Sequence, residues 1–317
     1  MALEDKPRLS DKTRNMLSIV IVAFGPPSEL EAALAAIGGG AHKTVVVDNS
    51  TSVATRQVVV AAGGTYVDPG TNVGFARAVN MGLSRLDLTN TDVLLLNPDA
   101  RIEGPAIDNL HRALLDEPDV ACVAPAQRSP GSGHALEAVW PWDSPASAWA
   151  DALGLRRDSR HRGLPRAGED PVGFLSGAVL LLRGRALLDV GMFDERFFLY
   201  AEDKDWQRRA RDRGWQLRHV PQVIATHKMG GTDTDAVKVQ LRLHAATEQY
   251  VRKWYGALGW ASYRAAWVVG YSARALYYGL TPKKRSLGRR MTRLVRLYAI
   301  GPARCARRAG VLPGSPL

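Results

Sequence analysis

The sequence predicts an α/β protein with a mostly parallel sheet flanked by helices. Three observations lead there. Several short runs are continuously apolar and β-branched rather than alternating, the pattern of strands buried on both faces. These runs alternate with segments of helical length and composition. The 317 residues are 46% hydrophobic and 23% charged, which excludes collagen-like, low-complexity and wholly disordered chains.

Residues 1–15 are polar and read as a frayed tail. Residues 17–24 form the first apolar strand, and Gly25-Pro26-Pro27 breaks it. Ser28 is placed to cap a helix, with Glu31 completing a capping box. That helix runs to about Ile37 and stops at Gly38-Gly39-Gly40. A strand at 44–47 ends in Asp48-Asn49-Ser50. A helix at 53–62 and a short strand at 65–67 follow. Residues 72–86 read as a helix with Asn72 as its cap. Residues 93–96 are a buried strand ending in Asn97-Pro98-Asp99, followed by a helix near 105–116 and a strand at 120–124.

Residues 127–172 lose this rhythm. They hold Trp140, Trp142 and Trp149, several Pro and Gly, and one short helix near 144–154. Loops of this length are usually functional or disordered. Order resumes at 172–182. A strongly charged helix at 202–213 and a strand at 216–220 complete the α/β region. There is no internal repeat, and no 18-residue uncharged apolar run that would span a membrane.

The net charge is +11, unevenly placed. Residues 250–317 carry eleven Arg, three Lys and no acid, or +14, which leaves the preceding 249 residues at −3. Such asymmetry points to a polyanion or an anionic membrane surface. Two cysteines, Cys122 and Cys305, make neither a disulfide scaffold nor a Cys-rich zinc site. No basic-then-apolar run marks a signal peptide, and a reducing cytoplasmic setting is expected.

In open α/β sheets, ligands bind beyond the carboxyl ends of strands. Asp48, Asp99 and Glu202-Asp203 each follow an apolar run. A lone Asp after a strand is most often a turn residue or a cap; three in series point to a site. The first strand leads into Phe24-Gly25-Pro26-Pro27, not a dinucleotide-binding glycine fingerprint. No Walker A loop and no G-x-S-x-G elbow is present.

The stretches Ser18-Ile-Val-Ile-Val22, Val47-Asp-Asn-Ser50, Asn72-Val-Gly-Phe-Ala-Arg-Ala-Val-Asn80, Leu96-Asn-Pro-Asp99 and Gly173-Phe-Leu-Ser-Gly177 form one series. It continues through Phe193-Asp-Glu-Arg-Phe-Phe-Leu-Tyr-Ala-Glu-Asp-Lys-Asp205, Arg209, Gly214-Trp215, His227 and Gly230-Gly-Thr232. In this order, over about residues 17–232, they resemble the inverting family 2 glycosyltransferases of the GT-A fold. Within that family the chain looks like the bacterial rhamnosyltransferases of cell-wall and polysaccharide assembly.

The resemblance implies roles. Asp48 would accept the N3–H of a uracil or thymine ring, a proton cytosine lacks at that position. Asn72, Gly74, Phe75 and Asn97 would contact the nucleotide-sugar. Asp99 stands where the family keeps the last acid of its D-x-D motif, here N-P-D. With His227 it would hold Mg²⁺ or Mn²⁺, which needs few protein ligands when diphosphate and water supply the rest. Asp203 would be the base that removes the acceptor hydroxyl's proton. Asp205 and Arg209 are spaced to pair on one helix face and would position.

The implied donor is a dTDP- or UDP-sugar, with dTDP-L-rhamnose favoured. The implied acceptor is a polyprenyl-diphosphate-linked saccharide. UDP-galactofuranose, UDP-N-acetylglucosamine or UDP-glucose are alternative donors, and a non-catalytic basic membrane or nucleic-acid adaptor is the alternative to an enzyme. Nucleic-acid binding is not expected, because it gives the three acidic motifs no role.

The sequence divides into a tail (1–15), a GT-A domain (16–235) and a helical, basic, aromatic-rich extension (236–317). On a helical wheel Trp260, Tyr263, Trp267, Tyr271 and Tyr278 share a side, opposite Ala265, Val269, Ser272, Ala273 and Leu276. The expectation is that the aliphatic side packs on the globule and the aromatic side meets lipid headgroups. A basic amphipathic helix near 286–300 would add to this attachment. The expected location is peripheral, on the inner face of the plasma membrane.

Overall fold

The computed structural model describes residues 16–155, 173–228 and 235–312. From β1 (Met16–Ala23) the chain alternates regularly through α1 (Pro27–Ala36), β2 (Lys43–Asp48), α2 (Val53–Ala61), β3 (Thr65–Val67), α3 (Phe75–Leu83) and β4 (Thr91–Leu96). A short β5 (Ala100–Arg101), α4 (Gly104–Leu115) and β6 (Val120–Arg128) follow. The excursion contributes β7 (Ala135–Leu136), β8 (Val139–Trp140) and α5 (Pro145–Ala152). Then come β9 (Phe174–Leu175), β10 (Val179–Leu182), α6 (Gly184–Val190), α7 (Glu202–Asp212) and β11 (Gln216–His227).

The main sheet has the order β3-β2-β1-β4-β10-β6-β11-β5, with β7 on β6. Strands β3, β2, β1 and β4 are mutually parallel, and β11 runs parallel to β6. Strand β10 runs antiparallel between β4 and β6. This is the expected α/β architecture of mostly parallel strands flanked by helices.

Both faces of the sheet are covered, which is why its strands read as unbroken apolar runs. Val20, Val22, Val93 and Leu95 face α3, α6 and α7, packing with Val79, Leu83, Leu187 and Trp206. Ile19, Ile21, Leu94 and Leu96 face the other way, onto Leu30, Leu34, Ile107 and Leu110 of α1 and α4. Each such side chain contributes about 1.5–3 kcal/mol when fully buried.

Several local expectations are corrected. The Ser28–Glu31 capping box does not form: α1 is capped by Pro26, with no side-chain bond. Its first residue is Pro27, whose missing N–H removes one of the orphan donors a cap would serve. Helix α3 starts at Phe75, not at Asn72. Asn72 Oδ1 instead accepts from the Gly74 N–H at 3.0 Å, a local turn that holds residues 72–74 out of the helix. Strand β11 does not stop at 220; it passes Pro221 by a register shift between Val220 and Ile224 and reaches His227.

The C-terminal region consists of α8 (Ala236–Leu280), α9 (Arg285–Ile300) and α10 (Pro302–Arg308). Helix α8 is interrupted at Gly256, where φ is 67°. The wheel assigns the shared faces correctly but reverses their direction. Trp260 and Tyr263 are buried, and Trp267 and Tyr271 join them in a cluster with Tyr298 of α9 and Ala148 of α5. Ala265, Val269, Ser272, Ala273 and Leu276 are exposed. The cause is area: an aromatic side chain buries roughly 150–250 Å², far more than Ala or Val, so a packing helix turns its aromatic side inward.

Candidate active site

Two loops at the carboxyl edge of the sheet are tied together by Asn49. Its amide donates to the Gly74 carbonyl at 3.2 Å and its carbonyl accepts from the Val73 N–H at 3.2 Å. Gly74 has φ 85°, and a Cβ there would sit 2.6 Å from the carbonyl oxygen of Phe198. Only glycine permits this approach, and the Phe75 N–H donates to the same oxygen at 2.6 Å. The expected nucleotide-side residues Gly74 and Phe75 are thereby bonded to a segment that begins four residues before Glu202. Asn72 is exposed beside them.

Asp48, at the end of β2, is fully buried. Its Oδ1 accepts from the Ser50 N–H at 2.9 Å; its Oδ2 accepts from the Ser52 N–H at 2.8 Å and the Tyr66 hydroxyl at 3.0 Å. A carboxylate offers about four acceptor positions, so three are taken. The Tyr66 hydroxyl is pushed up to about 12, first by burial and then by the Asp48 charge beside it. Tyr66 is absent from the sequence reading, because nothing in a three-residue strand announces a contact 18 residues back.

Asn97 and Asp99 follow β4. The Asn97 N–H donates to Ala178 O at 2.9 Å, joining the β4 end to the start of β10. Asp99 is buried. His227 is brought to it across 128 residues of chain because β11 pairs antiparallel with β5, opposing His227 to Ala100. His227 Nε2 lies 3.4 Å from Asp99 Oδ1. Arg101 and Lys228 brace this corner through one carboxylate, Glu29, at 2.7 and 3.0 Å. Gly230, Gly231 and Thr232 lie outside the described residues.

Asp203 sits in the first turn of α7. Its Oδ2 accepts from the Gly177 N–H at 2.9 Å and its Oδ1 from the Lys204 N–H at 2.7 Å. A Cβ at position 177 would fall 2.9 Å from Oδ2, so glycine lets that backbone N–H reach the carboxylate. Burial nevertheless raises the Asp203 carboxyl above the ordinary range, with the two backbone donors opposing it. Tyr200 and Ala201, immediately before α7, have φ of 72° and 68°. Two successive non-glycine residues in the left-handed region cost of order 1–3 kcal/mol each, and such strain clusters at functional sites.

Glu202 is buried beside Asp203, and its Oε2 has no hydrogen-bond partner among the described residues. Burial, then the neighbouring Asp203 charge, raise its carboxyl well above the ordinary 4.5. The sign follows: the unfolded chain ionises Glu202 near 4.5 while the folded chain resists, so its contribution to stability is lost as pH rises through the raised folded value. Glu202→Gln removes that loss. Its Tm relative to the parent protein should therefore climb from about pH 4.5 upward; a pH-independent difference would refute it.

The outward side of α7 is clasped by α8. Asp205 accepts from Lys253 Nζ at 2.6 Å, Trp254 Nε1 at 3.0 Å and Arg209 Nε at 3.1 Å. Arg208 donates to the Tyr255 hydroxyl at 2.7 Å. Lys204 Nζ meets Asp143 at 2.5 Å, and Asp143 also accepts from the Tyr263 hydroxyl at 2.8 Å. The Asp205–Arg209 spacing is legible in the sequence. Asp143, Lys253 and Trp254 are not, since they come from an irregular excursion and from the helix beyond.

The edge of an α/β sheet thus carries two acidic centres, one with an imidazole beside it and one opening a braced helix. A family model for "Glycosyltransferase like family 2" matches residues 14–256. The chain belongs to this glycosyltransferase family. Its fold is GT-A: glucosyl-3-phosphoglycerate synthase from Mycobacterium tuberculosis, solved with Mn²⁺, UDP-glucose and phosphoglyceric acid, superposes with a TM-score of 0.53 at 15% identity. That match covers 76% of this chain and 80% of the synthase.

By sequence, this glycosyltransferase is 29% identical over 283 residues to the N-acetylglucosaminyl-diphospho-decaprenol L-rhamnosyltransferase of M. tuberculosis, covering 78% of this chain and 89% of the relative. It is 27% identical over 215 residues to the low-salt glycan biosynthesis hexosyltransferase Agl10 of Haloferax volcanii, covering 67% and 66%. The family match runs 21 residues past position 235 and ends at Gly256, where α8 is interrupted. No described helix is long and apolar enough to cross a membrane.

Proposed function

We propose that this glycosyltransferase moves L-rhamnose from dTDP-L-rhamnose, with inversion, to a hydroxyl of a polyprenyl-diphosphate-linked saccharide. The observation that carries the reading is the Asp99–His227 pair after β4, with Asp203 bonded to Gly177 beside the Ala178 that Asn97 holds, in a chain 29% identical to a rhamnosyltransferase with such an acceptor. The hexosyltransferase relative supports an alternative hexose donor.

In this reading Asp203 takes the proton of the acceptor hydroxyl as its oxygen bonds the anomeric carbon. The bond from that carbon to the diphosphate breaks, and its electron pair leaves with the nucleoside diphosphate. A single displacement inverts the centre and needs no covalent enzyme intermediate. The Gly177 and Lys204 N–H groups aim the Asp203 carboxylate, and the α8 clasp fixes the helix that presents it.

Asp99 and His227 suit a divalent cation: one carboxylate and one imidazole 3.4 Å apart, in a place where diphosphate and water would complete the shell. Imidazole favours Mn²⁺ over Mg²⁺. Such a cation would neutralise charge growing on the leaving diphosphate. Gly74, Phe75, Asn72 and Asn97 line the nucleotide side. Asp48 would read the N3–H of thymine or uracil by exchanging the Tyr66 hydroxyl for it.

A donor panel tests the reading. With dTDP-rhamnose, UDP-galactofuranose, UDP-N-acetylglucosamine and UDP-glucose, nucleoside diphosphate release should be fastest from dTDP-rhamnose when the lipid-linked acceptor is present. Thymidine and uridine diphosphates should bind and cytidine diphosphate should not. Preference for a hexose donor would replace the sugar assignment; release from none would favour a non-catalytic adaptor.

The basic extension, acid-free after Glu248, supports residence at the inner membrane surface, where such an acceptor keeps its diphosphate.

A further inference from the structure

We infer that the uncharged outer face of α8, from Leu258 to Leu280, is the surface on which this protein lies against an anionic bilayer. The inference rests on the membrane-surface reading above and specifies the face. Leu258, Val269, Leu276 and Leu280 are 87%, 47%, 67% and 77% exposed. Their spacing of eleven, seven and four residues puts them on one side of a helix. The positions between them on that side are Ala261, Ala265, Ser272 and Ala273, all exposed and none charged. The stripe is about 33 Å long at 1.5 Å per residue.

The helix cannot rotate to hide this stripe. Its other side is held by Tyr263 on Asp143, by the cluster of Trp260, Trp267 and Tyr271 around Tyr298, and by Gly270 against Ala152. An apolar face fixed outward, with a polar and aromatic face fixed inward, suits a helix lying in the membrane interface rather than crossing it.

Charge selects the occupant. Lys283, Lys284 and Arg285 follow the stripe directly, and Arg289, Arg290, Arg293 and Arg296 of α9 are exposed. The last acid in the chain is Glu248, so no carboxylate lies beside these cations in sequence. A second copy of the chain pairing through this same face would bring one +14 segment, residues 250–317, against another. An anionic leaflet complements these cations, and its attraction adds to apolar burial.

The test is co-sedimentation with phosphatidylglycerol vesicles and with neutral phosphatidylcholine vesicles at low salt. The full chain should pellet with the anionic vesicles, more weakly with the neutral ones, and be partly released by salt. Val269→Glu/Leu276→Glu should weaken anionic-vesicle binding about tenfold or more. A control, Val53→Glu/Val60→Glu on the exposed side of α2, should bind like the parent protein. Unchanged Tm and uridine diphosphate affinity would show that the stripe variant is folded.

If the parent protein pellets and the stripe variant pellets equally, the face is wrong while the membrane reading stands. If the parent protein stays in the supernatant, the membrane reading fails and this inference with it. If sedimentation velocity shows a parent dimer that the stripe variant dissolves, with vesicle binding unchanged, the stripe is a self-association surface and the lipid assignment is overturned.

Discussion

Asp203→Asn is expected to lower kcat by roughly 10²–10⁴-fold while leaving nucleoside diphosphate affinity within a few-fold. In the proposed mechanism the carboxylate acts only at the proton-transfer step, and its described bonds are to Gly177 and Lys204 backbone groups rather than to the proposed nucleotide-side residues. An asparagine keeps one acceptor oxygen but turns an amide toward the second of those N–H groups. The variant's Tm should therefore be read alongside kcat, so that a local clash is not mistaken for a lost base. Because burial raises the Asp203 carboxyl, the acid limb of the parent kcat profile should lie above the usual carboxylate range, as protonation at lower pH removes the base. An Asp203→Asn enzyme keeping more than about half its kcat would exclude this assignment and turn attention to Glu202.

A chelator should abolish transfer, and Mg²⁺ or Mn²⁺ should restore it. Asp99→Ala should weaken uridine diphosphate binding in the presence of metal and leave metal-free binding nearly unchanged. The distinction matters because the Asp99 side chain is also buried at the corner of the sheet beside His227, so its removal unpacks that corner as well. A purely structural loss would lower binding with and without metal alike. His227→Ala should reproduce the metal-dependent loss, since the two side chains are 3.4 Å apart. Calorimetry of uridine diphosphate binding, with and without Mn²⁺, separates these cases, and full activity in chelator would reject the metal role for both residues.

Most of the α/β domain was legible because its signals are local. A strand buried on both faces is apolar through its middle, so residues 19–22 of β1, 45–47 of β2 and 93–96 of β4 stand out. Asp48 and Asp99 also stand out, since they follow such runs, whereas Glu202-Asp203 opens helix α7. The local errors lie at element ends, where alternatives compete. Asn72 could have capped a helix or closed a turn on Gly74, and the close approach of Phe198 decided for the turn. At α1, Pro27 opens the helix, so Ser28 lies inside it rather than at the cap position.

What the residues alone established is the α/β layering, the family, and the acids at strand ends, because each depends on near neighbours in the chain. Tertiary structure decided what those acids touch. His227 reaches Asp99 only because β11 runs past Pro221 to pair with β5, and Asp205 reaches Lys253 only because α8 folds back onto α7. It also decided which way α8 faces. A helical wheel is symmetric about its axis and names two faces without ranking them; the ranking came from Tyr298 and α5, which give the aromatic side a place to bury its larger area and leave the aliphatic side outward.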